Sequence, residues 1–189
     1  AEAPIHNVHF YYNSFNMDYV GTTYGATNLN LAQNSTGLQF LNNSFAYTGG
    51  DSKSTCFMIT KPETMITACD YNNYYSNGTA AFVNYGGART TLAEIQAVDG
   101  RNQNSRVGDP EYVSATDLHT YGTQLWKAGT PISAFTKDFD GDARDSSNPC
   151  IGADEYMPII DHDLAAIAID GPDVITVGEK AEFEITVVN

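Results

Sequence analysis

At 189 residues, with 42% hydrophobic and 17% charged residues, the chain is long enough for one domain and part of another, and too apolar to be disordered. Its formal net charge of −14 is uneven: ten acids stand against seven bases in residues 1–137, and thirteen against two in residues 138–189. Such a surface repels phosphate backbones and excludes nucleic-acid binding, and no run reaches the ~18 apolar residues that a membrane span requires.

Ala1-Glu2-Ala3-Pro4 lacks a start Met, a basic segment and an apolar run, so it reads as a processed or internally cut end. From there the chain repeats itself. Val8-His9-Phe10-Tyr11-Tyr12-Asn13-Ser14-Phe15 returns 30 residues later as Leu38-Gln39-Phe40-Leu41-Asn42-Asn43-Ser44-Phe45, and 29 residues after that as Thr67-Ala68-Cys69-Asp70-Tyr71-Asn72-Asn73-Tyr74. Further β-prone runs lie between, at 29–31, 56–59 and 81–83. No amphipathic stretch long enough for a helical repeat occurs before Thr91, so short strands at a fixed period predict a solenoid in which each strand pairs with its equivalent one coil away. Equivalent side chains then stack: Phe10, Phe40 and Cys69 point inward. Asn13, Asn43 and Asn72 form an amide ladder at a turn, with Phe15, Phe45 and Tyr74 as an aromatic column beside it. A meander with coincidental repeats would leave these three columns unexplained.

Three coils are few for a solenoid, so further coils are expected upstream. At the other end Thr91-Leu92-Ala93-Glu94 fits a capping box. Leu92, Ile95 and Val98 share one face and Gly100 serves as the stop, which predicts a short helix over the last coil. The three cysteines, Cys56, Cys69 and Cys150, have no metal-binding spacing. A Cys56–Cys69 bridge and buried free thiols both remain open.

From Tyr71 to Tyr156 runs an ordered set of motifs: Tyr71-Asn72-Asn73-Tyr74-Tyr75, the capping helix, Gly108-Asp109-Pro110-Glu111-Tyr112, Asp117-Leu118-His119, Ala128-Gly129-Thr130, Asp138-Phe139-Asp140-Gly141-Asp142-Ala143-Arg144 and Ile151-Gly152-Ala153-Asp154-Glu155-Tyr156. This stretch resembles the C-terminal, choice-of-anchor Q-like region of secreted right-handed parallel β-helix repeat proteins of Bacteroidota-like bacteria. It departs from their pattern at Cys150 and at Gln124-Leu125-Trp126. The resemblance implies an extracellular or cell-surface location and says little about activity.

After Met157-Pro158 a linker over 157–163 leads to strand-like runs at 164–169 and 174–177. Ala181, Phe183, Ile185 and Val187 then alternate with polar residues. These resemble the first strands of an immunoglobulin-like adhesion module, which needs ~7 strands and is therefore expected to be truncated here. The chain as a whole is expected to be all-β. Its right-handed parallel β-helix with cap spans 1–156, and the start of an Ig-like sandwich spans 164–189. Further domains of the same protein are expected on both sides.

Candidate sites are sparse. Asp138, Asp140 and Asp142 alternate as oxygen donors do around calcium, but Ala143 and Pro149 stand where an EF-hand loop wants Gly and Glu. The segment is equally an acidic turn in which Arg144 pairs with Asp154 or Glu155. Asp161-His162-Asp163 is a weaker metal candidate. Tyr11, Tyr24, Tyr75 and Tyr85 are candidates for stacking on sugar rings. No catalytic residue is assigned, because Asp18, Asp51, Glu63 and Asp70 form no cluster with Lys53 or Lys61. The reading is a non-catalytic extracellular scaffold that binds a polysaccharide or cell-surface ligand. The rival is the non-catalytic tail of a polysaccharide lyase or glycoside hydrolase whose active site lies on upstream coils.

Overall fold

The computed structural model describes residues 3–20, 25–31, 33–78, 81–159, 165–172, 180 and 182–188. The chain divides into two compact units, Ala1–Pro158 and Ile159–Asn189. The first carries strands β1 (His9–Tyr11), β2 (Ser14–Met17), β3 (Leu38–Leu41), β4 (Ser44–Tyr47) and β5 (Phe57–Ile59), then the single-turn helix α1 (Pro62–Met65). Strands β6 (Ile66–Asp70), β7 (Asn73–Ser76), β8 (Val83–Tyr85) and β9 (Ala88–Arg89) follow, then helix α2 (Leu92–Asp99) and β10 (Arg106–Val107).

Repeat-equivalent strands pair in parallel. One sheet has the order β1-β3-β6, and a second the order β10-β7-β4-β2. Phe10 pairs with Phe40 and Phe40 with Cys69, while Phe15 pairs with Phe45 and Phe45 with Tyr74. Between the two sheets the chain turns at Tyr12, Asn42 and Tyr71, all left-handed at φ 54°, 59° and 54°. Asn visits this region readily, but a Tyr there costs of order 1 kcal/mol or more. The residue that follows each corner offsets that cost. Asn13 Nδ2 donates to Asn43 Oδ1 at 2.9 Å, and Asn43 Nδ2 to Asn72 Oδ1 at 3.0 Å. The ladder ends on Ser105, whose hydroxyl accepts from the Asn72 N–H at 3.1 Å.

The core lies between these sheets and the third, β5-β8-β9. The rings of Phe15 and Phe45 stack with centroids 5.0 Å apart, those of Phe45 and Tyr74 5.9 Å apart, and Phe57 packs across the column. Cys56, Cys69 and Cys150 are all free and buried, and burial raises each thiol above its ordinary pKa, Cys69 to about 12 and Cys150 to about 11. Thr91 caps α2 through a full capping box with Glu94, and Gly100 ends the helix in the left-handed region at φ 76°. Ile95 of this helix is buried in the core cluster, with Leu92 and Val98 packed against it.

The expected fold class is corrected on both halves. The sheets are small, of three, four, three and two strands, and they mix parallel with antiparallel pairing: β9 joins β8 antiparallel. Two helices interrupt them, so the architecture is neither an all-β solenoid of the β-helix type nor a sandwich. The physical reason lies in residues 108–158, which contain no strand, only isolated bridges at Tyr112–Thr120 and Lys137–Ala143. There the backbone is satisfied by side-chain caps. Asp109, Ser114, Asp117, Asp138 and Asp145 each accept N–H groups from residues just ahead of them, an alternative to ladder bonds that stops sheet growth.

In the second unit β11 (Ala165–Asp170) and β12 (Glu184–Val188) form one antiparallel pair with a register shift between Ala166 and Ala168. Two strands do not make the sandwich expected over 164–189. The expected strand at 174–177, Ala181 of the alternating run, and the Asp161–Asp163 metal candidate lie outside the described residues. Among those residues no helix is long and apolar enough to cross a membrane.

Candidate functional site

Two short turns and one extended stretch build a cleft beside β2. Residues 112–120 double back through the Tyr112–Thr120 bridge, with the Val113 N–H donating to the His119 carbonyl at 2.9 Å and Ser114 Oγ accepting from the Asp117 N–H at 2.9 Å. This turn presents Thr116 to His119. The second turn winds around Asp138, whose Oδ1 accepts the N–H groups of Asp140, Gly141 and Asp142 at 2.8–3.0 Å while Oδ2 accepts from Glu155 N at 2.9 Å. Burial alone would raise the Asp138 carboxyl, but these donors and Arg144 hold it below its ordinary value. The extended stretch, 152–155, is stitched to β2 where Ser14 Oγ accepts from the Ala153 N–H at 3.0 Å. Gly152 makes that approach feasible: its φ is +98°, and a Cβ there would sit 2.7 Å from Ser14 Oγ.

The cleft encloses about 480 Å³ and is lined by Asn13, Ser14 and Phe15 on one side, Thr116–His119 on another, and Phe139, Asp140, Ala153 and Asp154 on the third. His119 lies at its centre. Its Nδ1 meets Asp117 Oδ1 at 2.5 Å and its Nε2 meets Asp140 Oδ2 at 2.9 Å. These two carboxylates raise the imidazole pKa to about 9, so at neutral pH both nitrogens carry protons. Asp154 stands close by, with donor atoms of His119, Asp140 and Asp154 all within 4.8 Å of one another. Burial, reinforced by Asp138 and Asp140, raises the Asp154 carboxyl against the opposing pull of His119. On the rim, Phe139 exposes 83% of its surface.

A smaller neighbouring cleft of about 220 Å³ lies between Tyr11, Tyr12, Phe135, Phe139 and Arg144. Arg144 anchors this whole region. Its guanidinium lies 4.0 Å over the Tyr12 ring, donates to the carbonyls of Gly152 and Ala153 at 3.2 and 2.8 Å, and pairs with Glu155 at 3.4 Å. Of the two partners foreseen for Arg144, the ion pair is with Glu155.

The residues singled out from sequence are therefore scattered. Asn13 and Phe15 line the cleft, while Asn43, Asn72, Phe45 and Tyr74 lie buried beneath it as framework. Tyr11 is half-buried, gives its hydroxyl to Gln39 and meets Phe135 edge-on with ring centroids 5.9 Å apart. Tyr75 is half-buried, and burial together with its hydrogen bond to Asp109 pushes its hydroxyl pKa up to about 12. Tyr85 is fully buried and donates to Asp99 at 2.8 Å, so it offers no face to a sugar. Tyr24 lies outside the described residues. Of the three aspartates proposed for calcium, Asp138 is spent on its own turn, and Asp140 points instead to His119 and Asp154. Sequence reasoning had not joined His119 or Asp117 to a site. The available signal was Asp117-Leu118-His119, a pair of polar residues flanking one apolar residue in a turn-rich stretch.

No protein-family model, curated protein or solved structure matches this chain.

Proposed function

We propose that the chain is a non-catalytic extracellular or cell-surface scaffold whose cleft beside β2 binds a neutral glycan. The observation that carries this reading is the pairing of a largely exposed aromatic ring, Phe139, with a ring of hydrogen-bonding groups in a cleft of about 480 Å³. A sugar presents an apolar C–H face and a rim of hydroxyls. Phe139 and Phe15 suit the first; Asp140, Asp154, Asn13 and Ser14 suit the second. Three carboxylates around one imidazolium disfavour polyanionic sugars.

The state of His119 supports binding over turnover. A general base needs a free lone pair near neutral pH, and both ring nitrogens here are engaged by Asp117 and Asp140. The test is calorimetric titration against a panel of neutral and acidic oligosaccharides, with a reducing-sugar assay run on the same samples. Phe139→Ala and Asp154→Asn are each expected to weaken binding of a neutral glycan about tenfold, the scale of one lost stacking or charged hydrogen-bond contact. Binding that is indifferent to both substitutions would refute the site, and turnover lost on either substitution would refute the non-catalytic reading.

A further inference from the structure

We propose that His119, Asp140 and Asp154 form a binding site for a divalent transition-metal ion, Zn²⁺ or Mn²⁺ in class. The site goes beyond the glycan reading and does not rest on it. Three donors of different chemistry converge from three separate stretches of chain: the 112–120 turn, the Asp138 turn and the extended 152–155 segment. One imidazole nitrogen and two carboxylate oxygens lie within 4.8 Å of one another, and Nε2 is 2.9 Å from Asp140 Oδ2. Ligands about 2.0–2.1 Å from a tetrahedral ion stand about 3.3 Å apart. A movement of about 1 Å by the carboxylates, of which Asp140 is exposed, brings the set to that spacing.

The fourth residue of the arrangement is Asp117. It holds Nδ1 of His119 at 2.5 Å, so the hydrogen stays on Nδ1 and Nε2 is turned toward Asp140 and Asp154. A carboxylate on the far nitrogen is the usual means of fixing a ligating imidazole in orientation and tautomer. The ion would take the place now held by the Nε2 proton. A nitrogen donor selects against calcium, which takes six to eight oxygens, and in favour of first-row transition metals. Three protein ligands would leave at least one coordination position open to the cleft. The calcium candidate read from sequence differs in composition as well as in metal. Its first member, Asp138, has both carboxylate oxygens occupied by backbone N–H groups.

The experiment uses the full chain, stripped with a chelator and dialysed, and titrated separately with Zn²⁺, Mn²⁺ and Ca²⁺ by calorimetry with no glycan present. One site is expected for Zn²⁺ or Mn²⁺, tighter than for Ca²⁺ by at least about tenfold. Asp154→Asn and His119→Gln should each remove it, and Asp117→Asn, a positioning change, should weaken it about tenfold or more. Asp18→Asn removes an equal charge far along the chain and should leave binding unchanged. A thermal melt on each variant separates loss of the site from loss of the fold. Zn²⁺ and Mn²⁺ binding that persists in both ligand variants, that is equalled by Ca²⁺, or that falls as much with Asp18→Asn would overturn the proposal.

Discussion

Replacing Asn43 with Ala removes the middle rung of the amide ladder, and its cost can be worked from the bonds it makes. The residue is fully buried. Its Nδ2 donates to the Phe10 carbonyl at 2.9 Å and to Asn72 Oδ1 at 3.0 Å, and its Oδ1 accepts from the N–H and Nδ2 of Asn13 at 3.1 and 2.9 Å. Four bonds at a net 0.5–1.5 kcal/mol each would total about 2–6 kcal/mol. Two features reduce the sum. Asn72 Oδ1 keeps the Asn43 backbone N–H at 3.0 Å, and Asn13 is half-buried, so water can reach its orphaned donors. The expected loss is about 2–4 kcal/mol. Asn77→Ala is the matched control: the same residue type, exposed, with its amide on the Thr48 carbonyl at 2.9 Å, expected to cost less than about 0.5 kcal/mol. Urea unfolding followed by the fluorescence of the single Trp, Trp126, gives both values from the midpoint shift at constant slope. Equal shifts for the two variants would refute the ladder as a source of stability.

Arg144→Met should cost about 3 kcal/mol in the same assay, because it leaves Glu155 buried without its cation and frees two carbonyls. Gly152→Ala should destabilise by about 1–3 kcal/mol through a left-handed backbone and the collision with Ser14 Oγ. Substituting Ser14→Gly in the same chain should recover the collision part but not the backbone part. Thr91→Ala should lower stability by about 1 kcal/mol, since one half of the capping box is lost. A thiol reagent at pH 8 should modify none of the three cysteines in the native protein and all three in urea, because burial keeps each thiol protonated and shielded. Rapid native labelling of any one would show that its surroundings open.

What the sequence determined by itself is whatever recurs along it. The offsets of 30 and 29 residues paired Phe10 with Phe40 and Cys69 and stacked the asparagines and rings. Parallel pairing in register repeats the local pattern without further information. The capping box was equally legible, since Thr91, Glu94 and Gly100 act on backbone only a few residues away. Tertiary structure alone decided where the repeat stops. Its last rung is a serine, Ser105, with nothing in its type to mark it. Beyond Gly108, aspartates and serines capture backbone N–H groups that further strands would have used, and for that reason the small sheets never extend into the expected solenoid. The same turns made the cleft. Asp138 and Asp140 look alike in sequence, yet one is consumed by its own turn while the other is carried to His119, 21 residues earlier in the chain. Asp154 completes the group because Gly152 lets its segment lie against Ser14. Donors brought together by three aperiodic turns share no spacing that a sequence can display, because each position is set by contacts with the other two.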